Sequence, residues 1–387
     1  MIYPLSHKLS VLDGRYQKCV LQNIEMLLSC ILVSRTVNLN KLKDDLPNVL
    51  KVKNLKPLSC YKKLLRCVEM CSPSRLWLDL LIWGLSHVWG VIHTLHIDGT
   101  EWSFGTYNIH VLVLSADFQG IAIPVFFKTY RHKGVLSETD RINFMKKALR
   151  YHDLSGKTLL ADREFIGDKW LCFLNEQGIK FIIRLRKQMY KNTINAAGQD
   201  EGRSSKNAFT VLDSYEKLKQ RALKKGYAQT RIYINKQEFR VEFWKNKHHQ
   251  ESVKDPIIFL ITNILDKNRV GKKYQQRWKI EYCFKHLKSN GFDIEDIGFK
   301  KIHKIQFIIA VVIVIYILAI CQGLIADKKN KTKSKWKQYK NGLKTRAISI
   351  FRQGLFVIKT NIANIFHLRK FLIILKPAKN AFLQSVQ

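Results

Sequence analysis

Four side chains that suit chemistry on phosphates recur along one stretch predicted to be helical. They are Tyr274, Arg277, Glu281 and Lys288, at successive spacings of three, four and seven positions. At about 100° per residue, this spacing places them within an arc of roughly 60° on an α-helix. The carboxylate on such a face can bind a hard cation, and the guanidinium and ammonium groups can hold phosphates. The same spacing is also typical of a solvated face on which Arg277 and Glu281 form an ion pair.

Two aspartates stand where predicted strands end. Asp98 follows the apolar run in LHIDGTEW, and Asp162 follows the one in LLADREF. Open α/β sheets place their sites at the carboxyl ends of strands, so these carboxylates converge if the strands are neighbours. With Glu281 approaching from the helix, three carboxylates could hold two divalent cations, which suits phosphodiester exchange. A single strand ending in Asp is common, so the prediction depends on the combination.

The charge of the chain points to a polyanionic partner. The 387 residues include 67 Lys and Arg against 30 Asp and Glu, which gives a formal net charge of +37. Hydrophobic residues make up 46%, which excludes a mainly disordered chain. Such an excess of positive charge favours nucleic acid as the partner, with an anionic membrane as the second candidate.

Three features bear on the cellular compartment. The eight cysteines contain no CxxC pair, which indicates reduced and mostly buried thiols of a cytosolic protein. The N-terminus carries charges from His7 to Lys18 and does not have the pattern of a signal peptide. The apolar run Phe307–Cys321 is shorter than the roughly 18 to 20 residues that span a bilayer. We therefore predict a buried core helix or strand there, and no membrane association.

The apolar spacing predicts the elements that position the candidate residues. Helical spacing occurs in Val20–Val33, Tyr61–Met70 and Ser74–Trp89, and the polar stretch Asn38–Pro57 separates the first two. The next predicted strands are Ile92–Asp98, Ile109–Leu114, Ile121–Phe127, Thr158–Asp162 and Lys180–Leu185, with helices at Ser137–Tyr151 and Ile166–Glu176. A hairpin (Arg231–Ile234 with Phe239–Trp244), a strand (Ile257–Thr262) and a long basic helix (Lys267 to Lys288) follow. This order predicts an α/β fold with a mixed sheet.

The same patterns divide the chain into five parts. They are a helical domain at 1–90, the first part of the core at 91–186, an inserted β-rich subdomain at 187–256, the second part of the core at 257–326, and a basic C-terminal helical region at 327–387. The first part is compatible both with a DNA-reading helix-turn-helix and with a plain helical bundle that has a solvated basic face.

Two other chemistries have weaker support in the sequence. His93, His96 and Asp98 form an HxxHxD string that a zinc hydrolase could use, but the chain has no partner motif for it. No phosphate-binding loop of the GxxxxGK[ST] type occurs, so the use of ATP is not indicated.

Taken together, these motifs resemble those of a known enzyme family. Asp98, the LLADREF segment around Asp162 and the pattern Y-x2-R-x3-E-x6-K resemble the DDE transposases of bacterial insertion sequences. More specifically, the chain resembles the family-four insertion-sequence transposases, which are known for this YREK motif. The resemblance covers roughly residues 92–292, together with an FRxGL-like element at Phe351–Leu355.

The resemblance implies a fold and a reaction. It implies an RNase H-like catalytic core, a mostly β insertion before the glutamate, and an N-terminal helical domain that binds DNA. Asp98, Asp162 and Glu281 would be the catalytic ligands of two Mg²⁺ ions, for which Mn²⁺ can substitute. Tyr274, Arg277 and Lys288 would contact DNA phosphates, and Trp244 is the candidate for stacking on a flipped base. A hairpin tryptophan that is simply buried is the alternative for Trp244.

The implied function is cut-and-paste transposition at terminal inverted repeats. The partners would be terminal-repeat and target DNA, with a homodimer in the synaptic complex, and the location would be the bacterial cytoplasm, at the nucleoid when DNA is bound. A non-catalytic DNA-binding protein, such as a decayed transposase or a repressor, and a plain metal-dependent nuclease are the alternatives.

Overall fold

The N-terminal region is helical, as predicted. The computed structural model describes residues 15–88, 90–186, 218–245, 256–266, 269–329, 336–338 and 344–363. The first four helices are α1 (Lys18–Ser34), α2 (Leu39–Leu50), α3 (Pro57–Cys71) and α4 (Leu76–Leu85). Helix α2 lies inside the stretch that was predicted only as a polar separator. It forms because Leu39, Leu42 and Leu46 recur at helical spacing and are buried, and because Asn38 caps its first turn.

Eight of the described strands form one mixed sheet. Its strands are β1 (Thr94–Phe104), β2 (Tyr107–Phe118), β3 (Ile121–Tyr130), β4 (Thr158–Ala161), β5 (Lys180–Arg184), β6 (Tyr227–Ile234), β7 (Gln237–Lys245) and β8 (Ile257–Thr262). Their order is β3-β2-β1-β4-β5-β8-β7-β6. The first three strands are antiparallel, and β4 and β5 run parallel to β1. The part from β3 to β5 is an RNase H-like core, as the resemblance implied.

Local signals explain how the core strands are joined. The turn between β2 and β3 has positive φ angles at Gln119 and Gly120, as a two-residue hairpin requires. Helix α5 (Glu138–Leu149) begins after Ser137, whose hydroxyl accepts the N–H of Asp140 and so caps the first turn. Helix α6 (Asp168–Glu176) then connects β4 to β5.

The insertion continues the sheet. After a helix at residues 218–225 (α7), β6 and β7 form a hairpin, and β7 pairs with β8, which in turn pairs with β5. Residues 187–217 and 246–255 of the predicted subdomain lie outside the described residues. The β7–β8 pairing places the hairpin in the same sheet as Asp98 and next to the segment that follows β8.

The predicted long helix is interrupted. Instead of one helix from Lys267 to Lys288, the structure has α8 (Gly271–Tyr274), a 3₁₀ turn (Gln275–Trp278) and α9 (Lys279–Leu287). The described residues just before Gly271 are not helical. The prediction of a single continuous helix was therefore wrong at its start and in its middle.

The apolar run forms the central helix of the core. It lies in α10 (Ile302–Lys329), and its side chains are almost completely buried. By length and composition α10 could cross a membrane, and so could α1 and α2 together, but 94% of the apolar window of α10 is buried inside the protein. The C-terminal helix α11 (Ile350–Ala363) contains the FRxGL-like element, where Gly354 approaches the backbone of Ala319 so closely that a Cβ would not fit. A small hairpin, β9 (Trp336–Gln338) with β10 (Lys344–Arg346), precedes α11.

A buried histidine makes the stability of this fold depend on pH. His152 is 3% exposed and donates its Nε2 hydrogen bond to the Val125 carbonyl, and burial lowers its pKa to about 4. Between pH 6.5 and 4 the unfolded chain binds a proton that the folded chain does not, so stability falls as pH falls. We expect this group alone to remove about 2 kcal/mol between pH 7 and pH 5.

Urea unfolding at the two pH values measures this effect. His152→Gln should lose less stability on acidification than the wild type, whereas a change at the exposed His93 should leave the difference intact. Equal pH dependence in all three proteins would contradict the assignment. The comparison between variants cancels the contributions of the other titrating groups.

Candidate active site

The sheet register brings the two aspartates together. Strand β1 pairs with β4 up to Ile97 and Ala161, so Asp98 and Asp162 occupy the next positions where β4 ends. Asp98 itself does not end its strand, because β1 continues along β2 to Phe104. The predicted neighbourhood of the two carboxylates is thus confirmed, although the strand end was placed too early.

The environment of Asp98 disfavours its charge. Burial raises the pKa of Asp98 to about 7, although the Arg277 guanidinium and the Gly99 N–H both lower it. The carboxylates of Glu164 and Asp162 add to the increase in the pKa of Asp98. A cation close to this group would therefore stabilise its ionised form.

Arg277 links the carboxylates from the helical segment. Its Nη1 lies 3.8 Å from Asp98 Oδ2, and its Nη2 donates to Glu281 Oε1 at 2.7 Å. Burial lowers the pKa of Arg277, but Tyr274 and the three carboxylates Asp162, Glu281 and Asp98 together raise it. Asp98 and Glu281 thus contact one buried guanidinium, and the Asp162 carboxylate is close enough to raise the pKa of that group. The ion pair between Arg277 and Glu281, which was one interpretation of this spacing, is present, and it lies inside the site.

Tyr274 packs at the base of the same site. Its ring joins a small apolar cluster with Leu160, Ile182 and Leu260 of the sheet and with Val270. Burial raises the pKa of the phenol to about 12, with Arg277 opposing and Asp162 adding to the shift. Its hydroxyl has no well-aligned hydrogen-bond partner among the described residues. A polar atom of this kind is available for a group that enters the site.

Lys288 lies apart from the carboxylates. It follows the last residue of α9, and its ammonium group lies 2.6 Å from Glu295 Oε1. It lies seven positions after Glu281, which corresponds to about 10 Å along a helix axis. The structure thus places Lys288 on the same segment but not in the cluster around Arg277.

Trp244 lies on the insertion hairpin against the start of this segment. Its half-buried ring covers Gly271, where an added Cβ would approach the ring to 2.4 Å. This packing is the situation expected for a buried hairpin tryptophan, and the base-stacking role stays a prediction.

Three side chains beside the site were missed by the sequence analysis. Glu164 is a half-buried carboxylate whose pKa is raised by burial and then by Asp162. Trp278 and Tyr282 are 59% and 64% exposed and flank Glu281 on the segment. Aromatic residues at polar positions of an amphipathic helix are the signal that could have identified them.

Further contacts fix the elements that carry the site. Lys279 forms an ion pair with Asp117 at the end of β2, which ties the start of α9 to the core. Arg141 is buried and donates to the carbonyls of Glu164 and Ile166, at 2.8 and 3.2 Å. The loop after Asp162 and the helix that carries Glu281 are therefore both anchored to the core.

The donor set is chemically suited to a divalent cation. Carboxylate oxygens are ligands that hard cations prefer, and the buried Asp98 would be stabilised by one. Within the described residues, no group of three or more His, Cys, Asp and Glu side chains is arranged to hold a metal ion. By its chemistry this set of carboxylates fits such an ion, although Asp98 and Glu281 both contact Arg277. His93 of the HxxHxD string is exposed and His96 is fully buried.

Comparison with protein families identifies the core. The family model described as the transposase DDE domain matches residues 96–318, which is more than half of the chain. The chain belongs to the DDE transposase-domain family. The matched range contains Asp98, Asp162 and Glu281, and the family generally uses divalent metal ions. The catalytic roles of these three residues stay predictions.

Two further comparisons add little to the transposase assignment. No curated protein matches the sequence significantly. The cryo-EM structure of the piggyBac transposase synaptic complex with hairpin DNA is similar at a TM-score of 0.42 and 9% identity, over 97% of this chain and 82% of that one. A similarity this distant supports no conclusion about mechanism.

Proposed function

We propose that this transposase excises and integrates a bacterial insertion sequence by cut and paste at its terminal inverted repeats. We further propose that it belongs to the YREK-motif group that its sequence resembles. The observation that carries the proposal is the cluster of Asp98, Asp162 and Glu281 around the buried Arg277. A +37 chain supports DNA as the substrate.

Asp98, Asp162 and Glu281 are proposed to hold divalent cations, as two Mg²⁺ ions or two Mn²⁺ ions in their place. Such ions would activate the attacking oxygen and stabilise the leaving one. Arg277 is suited to bind the phosphate at the cleaved bond, because its guanidinium already lies between the carboxylates that surround that position. The Tyr274 hydroxyl, which is buried beside Arg277, can donate to the same phosphate.

In the proposed sequence of steps, water first cleaves one strand at the end of the element and leaves a 3′-OH. That hydroxyl attacks the opposite strand and forms a hairpin, which a second water opens. The 3′-OH then attacks target DNA. Each hydrolysis converts a phosphodiester into a 3′-hydroxyl and a 5′-phosphate. Each attack by a 3′-OH forms one phosphodiester bond while another breaks and releases a 3′-hydroxyl, so no nucleotide energy source is required.

The remaining partners and the location follow from the same proposal. Lys288, about 10 Å further along the segment, is placed to contact a phosphate about three base pairs away. Two ends must be processed together, so we propose a homodimer in the synaptic complex. We place the protein in the cytoplasm and not in a membrane, in agreement with the burial of α10.

The exposed aromatic residues Trp278 and Tyr282 give a testable extension of this proposal. Trp278 is 59% exposed beside Glu281, and base stacking on an aromatic ring is worth about 1–3 kcal/mol. We expect Trp278→Ala to weaken binding of a distorted or single-stranded DNA end by about tenfold or more. Fluorescence anisotropy measures this loss. Tyr233, which is 41% exposed on β6, is the matched control, and equal losses in Trp278→Ala and Tyr233→Ala would contradict a stacking role.

An excision assay tests the proposed function as a whole. A plasmid that carries a marker between the two inverted repeats flanking the gene is incubated with the protein, Mg²⁺ and a target plasmid. Release of the marker and its insertion into the target support a transposase. Cleavage without insertion would indicate a nuclease, and binding without cleavage would indicate a decayed transposase or a repressor.

A further inference from the structure

A buried carboxylate on the insertion hairpin holds the start of the segment that carries the site. Glu242 on β7 is fully buried. Its Oε2 accepts the N–H of Val270, and its Oε1 accepts the N–H of Gly271, both at 3.1 Å. The first N–H groups of a helical segment have no partner within it, so Glu242 supplies the missing acceptors. Its negative charge is also favourable at this end of the segment.

A second side chain of the same strand contacts the same point. Trp244 lies two residues after Glu242 on β7 and therefore on the same face of the strand. Its ring covers Gly271 so closely that an added Cβ would lie 2.4 Å from it. Strand β7 thus fixes the start of the segment through a charged group and through a steric contact.

The segment between this point and the carboxylates is short. Gly271 begins one turn of α-helix, Arg277 lies in the 3₁₀ turn that follows, and α9 then carries Glu281. A 3₁₀ stretch within a helix is often a hinge. A shift of Gly271 would therefore be transmitted to Tyr274 and Arg277, while the Lys279–Asp117 ion pair holds the following helix in place.

We propose that Glu242 is a positioning residue, which places Tyr274 and Arg277 relative to Asp98 and Glu281. This inference rests on the proposed function of the site. Strand β7 of the insertion would thereby contribute to cleavage without contacting the reacting phosphate. The role is distinct from that of Trp244 as a stacking platform, because it acts through Val270 and Gly271.

Glu242→Gln is the central variant for testing this role. Burial raises the pKa of Glu242 although the two N–H groups and Arg240 lower it, so a neutral glutamine avoids part of the cost of burying charge. The variant should therefore fold. It keeps one acceptor oxygen of the two, and Glu242→Ala keeps none. Gly271→Ala disturbs the same contact between β7 and the start of the segment, because the added Cβ would meet the Trp244 ring.

Val241→Ala is the matched control. Val241 is fully buried on the neighbouring position of β7, so its truncation weakens the hairpin but removes no contact with Val270 or Gly271. Stability is measured by urea unfolding for all four variants. All four are then compared at a temperature at which each is folded.

Two readouts separate positioning from stability. We expect cleavage of saturating terminal-repeat DNA to fall about tenfold in Glu242→Gln and Gly271→Ala, and about a hundredfold in Glu242→Ala, since a displacement of about 1 Å can cost that much. We also expect Mn²⁺ binding to the DNA-free protein, measured by electron paramagnetic resonance, to weaken several-fold in the same variants. DNA affinity should stay within about twofold of the wild type, and Val241→Ala should retain both activities.

Normal cleavage and normal Mn²⁺ binding in Glu242→Gln and Gly271→Ala would overturn the inference. Losses of the same size in Val241→Ala would also overturn it, because stability alone would then explain them. If the wild type binds DNA but cleaves none, the proposed function fails, whereas the Mn²⁺ measurement still decides the positioning role.

Discussion

Replacement of any one of Asp98, Asp162 and Glu281 by its amide is expected to abolish DNA cleavage while DNA binding persists. Each change removes a charge from the cluster around Arg277, and with it an oxygen ligand for a divalent cation. We expect a loss of at least about a thousandfold in the cleavage rate, which corresponds to about 4 kcal/mol of activation free energy. Single-turnover cleavage of labelled terminal-repeat DNA with Mg²⁺ measures it.

The fold should tolerate these changes. Asp98 is buried and its pKa is raised to about 7, because the cost of burying its charge exceeds what the Arg277 and Gly99 contacts return; Asp98→Asn removes that cost together with the contact to Arg277. Asp44→Asn on the exposed face of α2 is the control for loss of one negative charge. Cleavage within tenfold of the wild type in any of the three site variants would show that its residue is not part of the catalytic set.

DNA binding is expected to weaken steeply with salt. A chain with a net charge of +37 that neutralises about ten phosphates should give a slope near −9 when the logarithm of the binding constant is plotted against that of the salt concentration. Between 50 and 200 mM salt, this corresponds to a loss of about 10⁵-fold in affinity. Anisotropy titrations over this range, with binding to competitor DNA measured in parallel, determine the slope.

Single substitutions measure how much individual residues contribute to that slope. Arg277→Gln and Lys288→Gln should each reduce its size by about one, if each residue contacts one phosphate. Tyr233→Phe on β6, which changes no charge, should leave the slope unchanged. A wild-type slope near zero would remove the electrostatic argument for DNA as the partner.

The sequence predicts the core well because its signals are local. The apolar strands β1 to β5, the Ser137 cap and the buried run in α10 each have a pattern that short-range physics produces. The convergence of Asp98 and Asp162 then follows from the parallel pairing of β1 with β4. The α/β order is compatible with this pairing but does not by itself require it.

What the sequence could not predict depends on contacts between distant residues. The predicted helix instead begins at Gly271, where Glu242, which lies 28 residues before Val270, accepts the first N–H groups. The pairing of Lys288 with Glu295 likewise depends on how the chain turns after α9. Helix α2 was missed for a different reason, because Pro47 and many polar residues concealed a narrow apolar face.

The product formed at one DNA end tests the proposed cut-and-paste reaction most directly. The protein is incubated with Mg²⁺ and a duplex, labelled on one strand, that carries the terminal repeat and its flanking sequence, and the products are resolved under denaturing conditions. We expect a hairpin-sized product that ends at the element boundary in the wild type, and none in Asp162→Asn. Binding of the duplex without any cleavage, with Mn²⁺ as well as Mg²⁺, would contradict it.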